Sequence, residues 1–350
     1  MCAKQKLNLK KELFTVTFFN KIEKRRIMKR FVFSFVSMVV IIALLGGCIN
    51  TPSKNDKDST AEPVEPIENY HVYIAFGQSN MQGPGEIRPQ DREGISDRYR
   101  TLNVVAGTYA GERREKGKWD KAVPPLIITD SNLTNYLGLR IGLSPADYFG
   151  RTLVAGVPEN ITIGVIAVAN GDMALAAFHK TKAEDYYRRT GTLAGRPSST
   201  EMQGMSRYKG AGYANMYDAI IQNAKLAQRA GGVIKGIIVH QGESGAGLED
   251  IDWVDLLKEI YDDMLSDLKL QPNSIPILLG QTWNGGSGRT GGALASDRVI
   301  QAVLPNAWII SSIGCTGRTG QGQPDNIHFG SEGLRLLGTR YGEKMLELVY

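Results

Sequence analysis

The ten residues VYIAFGQSNM, Val72 to Met81, set the reading of the chain. Val72 to Phe76 is a short apolar run with β-branched and aromatic side chains. It is long enough for one buried strand and too short for a helix. It stops abruptly at the polar turn Gly77-Gln78-Ser79. Runs of the same kind recur at Leu102–Val105, Ile161–Val168, Val233–His240 and Ile275–Leu279. Between them, Asn215–Arg229 and Asp252–Leu268 carry apolar residues every three or four positions, the spacing of amphipathic helices. Ser331–Leu348 closes the chain as a further helix. Buried strands alternating with helices predict an α/β domain whose parallel sheet is covered on both faces. In such sheets ligands sit beyond the carboxyl ends of the strands.

The residues at those ends carry chemistry. Val72–Phe76 leads into Gly77-Gln78-Ser79-Asn80-Met81, and the Ile161 run into Asn170-Gly171-Asp172. The Val233 run ends in His240-Gln241-Gly242-Glu243-Ser244, and Asp325-Asn326-Ile327-His328-Phe329 precedes the last helix. A nucleophilic serine needs a neighbouring base, usually a histidine held by a carboxylate. The chain has four histidines: His71, His179, His240 and His328. His328 is the candidate base for Ser79, because it lies three residues after Asp325 in a Gly/Pro-rich loop that can present both groups. Glu243, on a strand end facing the same crevice, is the alternative acid; its other role would be to hold the Gln241 loop. The oxyanion of the tetrahedral intermediate needs donors, and the backbone N–H groups of Ser79 and Gly171 suit, with the Gln241 carboxamide as a third. His240 reads as structural support, His71 as incidental and Cys315 as a small buried residue. No HExxH, paired cysteine, calcium loop or phosphate-binding glycine loop is present, so no metal or nucleotide cofactor is expected.

GQSNM at 77–81, HQGES at 240–244 and DNIHF at 325–329 together resemble the signature blocks of the sialate O-acetylesterase / carbohydrate esterase family 6 group, a branch of the SGNH-hydrolase superfamily. The resemblance spans about residues 71–350. It implies a three-layer α/β/α sandwich with a central parallel sheet, flavodoxin-like, and metal-free acyl transfer. By matching positions it makes Ser79 the nucleophile and His328 the base, with Ser79, Gly171 and Gln241 as the oxyanion hole. The match at Gly171 is the loosest, since Ala169-Asn170-Gly171 only approximates the family's second block. Gln241 stands where the wider superfamily has asparagine. The implied partner is an acetylated carbohydrate, with acetylxylan the favoured substrate of an acetylesterase. A sialate O-acetylesterase is the alternative within the enzyme class. A non-catalytic glycan-binding surface lipoprotein is the alternative outside it, and the intact set of Ser79, His328 and two acids speaks for the enzyme. Phe178–Gly212, rich in Lys, Arg and Tyr, reads as a solvated insertion or a sugar groove. Trp308 reads as core, and Trp283, near a strand end, as a sugar contact.

The N-terminus reads separately. Met28-Lys29-Arg30, the uncharged apolar run Phe31–Leu45 and Leu45-Gly46-Gly47-Cys48 resemble a bacterial lipoprotein signal, with Cys48 receiving lipid. The run is short for a bilayer core of about 30 Å, which disfavours a plain membrane span. Residues 1–47 are thus a leader, with Met28 an alternative start, and 48–70 a polar flexible tether. Residues 71–350 form the esterase domain. The expected location is beyond the inner membrane, lipid-anchored at the outer membrane or cell surface, since no aspartate follows Cys48. The chain's 41 Lys and Arg against 36 Asp and Glu give +5, but the leader holds 10 of those bases and 2 of those acids, leaving 31 against 34, or −3, for residues 48–350. The basic balance belongs to the leader and gives no sign of a nucleic-acid partner.

Overall fold

The computed structural model describes residues 69–109, 112–127, 141–193, 206–245, 252–283, 297–320 and 323–350. The segment expected as a leader, Cys48 and nearly all of the segment expected as a tether lie outside the described residues.

Seven strands form the main sheet: β1 (Tyr70–Gly77), β2 (Tyr99–Leu102), β3 (Trp119–Lys121), β4 (Thr162–Ala169), β5 (Val233–His240), β6 (Ile277–Gly280) and β7 (Ala307–Ile310). Their order is β7-β6-β5-β1-β4-β2-β3, and every neighbouring pair is parallel except β2 and β3. The fold is therefore an α/β sandwich with a mostly parallel sheet. β1 begins at Tyr70, one residue before the expected domain start, because the Tyr70 ring is buried edge-on against Trp119. The run expected at Leu102–Val105 is shifted: β2 occupies Tyr99–Leu102, with Val104 and Val105 in a bend.

Strand alternation explains the two cores. β1 sends Val72, Ile74 and Phe76 to one side and Tyr73 and Ala75 to the other. On the first side they meet Ile220 and Ala224 of helix α3 (Met216–Arg229), and Leu256, Leu257 and Ile260 of α4 (Trp253–Asp267). On the second they meet Phe149 and Leu153 of α2 (Pro145–Gly156), and Leu337, Tyr341 and Met345 of α5 (Ser331–Val349). Each fully buried Val, Leu, Ile, Phe or Met among them contributes about 1.5–3 kcal/mol. The helices start where their caps allow. Ser144 accepts from the Ala146 N–H while Asp147 accepts from the Ser144 N–H, and Pro145 opens the first turn. Asn215 and Asp252 cap α3 and α4 with their side chains alone, accepting from the Asp218 and Val254 N–H groups. α5 lies close against α2, since a Cβ on Gly338 would fall 2.3 Å from the Pro145 carbonyl oxygen. That contact seats the helix that follows His328.

The sheet's register brings the chemistry to one edge. Gly77 pairs with Ala169 on one side and His240 on the other, so β1, β4 and β5 end level. β1 is also where the chain order reverses, from strands on its β4 side to strands on its β5 side. That is the point at which α/β sheets open a crevice.

Candidate active site

Gly77 makes the turn into the site possible. A Cβ there would lie 2.0 Å from the His240 carbonyl oxygen, so only glycine lets the chain cross the end of β5 so closely. Directly after it, the Gln78 N–H donates to that His240 oxygen at 3.1 Å, and the Asn170 N–H donates to the Gly77 oxygen at 3.2 Å. These main-chain bonds tie three of the sequence blocks together at the strand ends. Ser79 then opens α1 (Ser79–Gln82), a single turn, with its side chain half-buried.

His328 reaches Ser79 from the other end of the chain, with its Nε2 2.8 Å from the serine Oγ. The segment expected as a loop is instead a hairpin of β8 (Gly317–Gly320) and β9 (Gln323–Phe329). Its pairing is irregular: Thr319 faces Pro324 and Gly317 faces Phe329, so five steps along β9 match two along β8. Asp325 to His328 lie in this bulge. In a regular strand, residues three apart face opposite sides, and a bulge removes that constraint. The side chain of Asp325 lies outside the described residues.

Glu243 is placed elsewhere. Its buried Oε1 accepts from Asn80 Nδ2 at 2.6 Å and lies 3.5 Å from His240 Nε2. Burial works to raise the carboxyl, but the His240 and Asn80 partners hold it below the ordinary glutamate range. His240 is fully buried between this carboxylate, the Tyr341 hydroxyl and an edge-on Phe329 ring. That setting suits the structural role expected of it.

Of the three expected oxyanion donors, two are otherwise engaged. The Gly171 N–H donates to the side-chain oxygen of Gln82, one turn on from Ser79, at 2.7 Å. Gln241 is buried. Its Nε2 donates to Gly245 O, Met173 O and Gln78 Oε1 at 3.1, 3.2 and 3.3 Å, and its Oε1 accepts from the Trp253 indole. Its amide is thus spent on stitching the loops beneath the site together. Beside Gly171, the exposed Asp172 adopts a left-handed backbone at φ 62°, a conformation that costs a non-glycine residue about 1 kcal/mol.

Sequence reading missed the carboxamides around Ser79. Gln78 accepts from the Ser244 N–H at 3.1 Å, Asn80 reaches Glu243, and Gln82 reaches Gly171. The available signal was three amide side chains at alternate positions in a turn that leaves an apolar strand. Trp283 is half-buried with its ring against Gly317 of the His328 hairpin, where a Cβ would come within 2.5 Å of it, and Trp308 packs on the α2/α5 core. His179 is buried, 2.9 Å from the Glu259 carboxylate and away from Ser79's partners. His71 lies at the start of β1, bonded to Tyr350. Among the described residues, no group of three or more His, Cys, Asp or Glu is placed to hold a metal ion.

The geometry can be set beside known proteins. The model of the family described as "Carbohydrate esterase, sialic acid-specific acetylesterase" matches residues 69–347. The chain is 23% identical over 304 residues to the probable carbohydrate esterase At4g34215 of Arabidopsis thaliana, covering 86% of this chain and 98% of that one. The crystal structure of that Arabidopsis protein is similar at a TM-score of 0.53 and 18% identity, over 81% of this chain and 99% of the other. The crystal structure of NanS is similar at a TM-score of 0.54 and 16% identity, over 81% and 98%.

Proposed function

Since the chain belongs to the carbohydrate esterase, sialic acid-specific acetylesterase family, we propose that it removes acetyl groups from a polysaccharide, acetylxylan before others, through an acyl-enzyme on Ser79. The observation that carries the reading is the 2.8 Å contact between Ser79 Oγ and His328 Nε2. In the first half-reaction, His328 Nε2 takes the serine proton as Oγ attacks the acetyl carbonyl. Collapse of the tetrahedral intermediate expels the sugar hydroxyl, which receives that proton from His328. In the second, His328 deprotonates a water that attacks acetyl-Ser79, and acetate leaves as the proton returns to Oγ. The oxyanion is met by the N–H of Ser79 and by that of Gly171 once the Gln82 side chain yields it. Gln241 holds the floor of the site. A non-catalytic glycan binder has no need of a serine–histidine contact at hydrogen-bond distance.

The family's description also favours a second substrate, an O-acetylated sialic acid. Acetate release from acetylated xylo-oligosaccharides and from O-acetyl sialic acids, measured side by side, separates the two. The expected result is a kcat/KM at least about tenfold higher on the xylo-oligosaccharides, a difference of about 1.4 kcal/mol in the barrier. The reverse ranking makes the enzyme a sialate O-acetylesterase.

We also propose that the mature chain begins at a lipidated Cys48, on the strength of Leu45-Gly46-Gly47-Cys48 after an apolar run. The protein should then partition into detergent, and Cys48→Ser should abolish this. An intact mass showing an unmodified chain that keeps residues before Cys48 refutes the anchor.

A further inference from the structure

Asn80 is fully buried immediately after Ser79, and its one carboxamide makes three bonds. Nδ2 donates to Glu243 Oε1 at 2.6 Å and to the Ile327 carbonyl oxygen at 3.1 Å. Oδ1 accepts from the Phe329 N–H at 3.1 Å. Ile327 and Phe329 are the residues on either side of His328. A side chain one residue from Ser79 therefore grips the backbone on both sides of His328.

The two ends of an asparagine amide have nearly the same shape, and only their partners decide which way round it sits. Glu243 reinforces a decision that the backbone already favours. The Ile327 carbonyl and the ionised carboxylate both only accept, so Nδ2 must face them, and Oδ1 is left for the Phe329 N–H, which only donates. Were the amide reversed, its oxygen would face the carboxylate and its NH₂ the Phe329 N–H, and both contacts would be repulsive. Glu243 lies in turn 3.5 Å from Nε2 of His240, a residue the sheet itself holds at the end of β5.

We propose that Asn80, oriented by Glu243, is a positioning residue that sets the Ser79–His328 geometry. Its kinetic consequence rests on the serine-esterase reading above, whereas its structural consequence does not. A displacement of about 1 Å between reacting groups costs on the order of 10² in rate. Asn80→Ala should therefore lower kcat on p-nitrophenyl acetate by about 100-fold while KM stays within about twofold. Glu243→Gln, which keeps the shape but not the acceptor-only polarity, should lower kcat by about tenfold. Asn80→Asp sets two carboxylates together and should be at least as damaging as Asn80→Ala. The double variant Asn80→Asp/Glu243→Gln restores one donor facing one acceptor, with an oxygen still available to Phe329; the lost bond to the Ile327 carbonyl is not restored, so the rescue is partial. It should recover at least about tenfold over Asn80→Asp alone, which filling space would not achieve.

Hydrogen exchange at the Phe329 amide provides the readout that is independent of activity. It should quicken in Asn80→Ala and in Glu243→Gln, including in a Ser79→Ala background. The proposal is overturned if Phe329 protection is unchanged, if Asn80→Ala keeps kcat within threefold or loses activity through KM alone, or if the folded double variant is no better than Asn80→Asp. If the Asn80 variants fail to fold, Glu243→Gln decides by the same two readouts. Activity persisting in Ser79→Ala would instead defeat the esterase reading, and Phe329 exchange would still judge the clamp.

Discussion

Alanine at position 79 is expected to lower kcat on p-nitrophenyl acetate by about 10⁶, with the fold intact. The size follows from what the side chain does in the proposed reaction. Oγ is the atom that bonds to the acetyl carbon, and it lies 2.8 Å from the Nε2 of His328, the base that would take its proton. The remaining acceleration would come from substrate binding and the backbone donors, which typically retain about 10³–10⁴ over water. Stability should change by only about 1 kcal/mol, because a half-buried hydroxyl with this one side-chain bond is lost. Thermal unfolding measured beside kcat separates the two effects. Retention of a tenth or more of the activity would remove Ser79 from the mechanism.

Asp325→Asn is expected to lower kcat by about 10⁴ with little change in KM, whereas Glu243→Gln should cost about tenfold. Two arguments rank them. The Glu243 carboxylate is buried, bonded to Asn80 and 3.5 Å from His240 Nε2, so its effect on His328 passes through the Asn80 clamp. Asp325, by contrast, lies three residues from His328 inside the bulge of β9, where strand alternation no longer forces the two apart. An orienting carboxylate fixes the imidazole tautomer and stabilises the imidazolium, and asparagine does neither well. If Glu243→Gln proves the more damaging in a folded protein, the triad is Ser79-His328-Glu243.

Much of this architecture was legible because parallel strands are buried on both faces and so read as unbroken apolar runs. Val233–His240 was placed to the residue, and Val72–Phe76 and Ile161–Val168 to within two at either end. The short strands Trp119–Lys121 and Ala307–Ile310 escaped notice because three- and four-residue edge strands have no periodicity to detect. The Leu102–Val105 run misled because Leu102 and Val104 are both buried, although only the first is in a strand. At the site, the Ser79–His328 pairing was readable from residue types at strand ends. The use of the amides was not. Gln241 and Asn80 are both carboxamides beside the crevice, yet each can donate and accept, and only three-dimensional placement assigns their bonds. Gln241 was expected to face the oxyanion and instead bonds inward to Gln78, Met173, Gly245 and Trp253. Asn80, whose residue type alone gives no such signal, holds the backbone around His328.

The claim that Ser79 is the nucleophile and His328 its base is tested most directly by covalent trapping. The protein is incubated with a fluorophosphonate, which reacts preferentially with an activated serine, and the adduct is located by peptide mass mapping. The account predicts one adduct, on Ser79, that fails to form in His328→Ala. An inactivated enzyme carrying the adduct on another residue, with Ser79 unmodified, would contradict it.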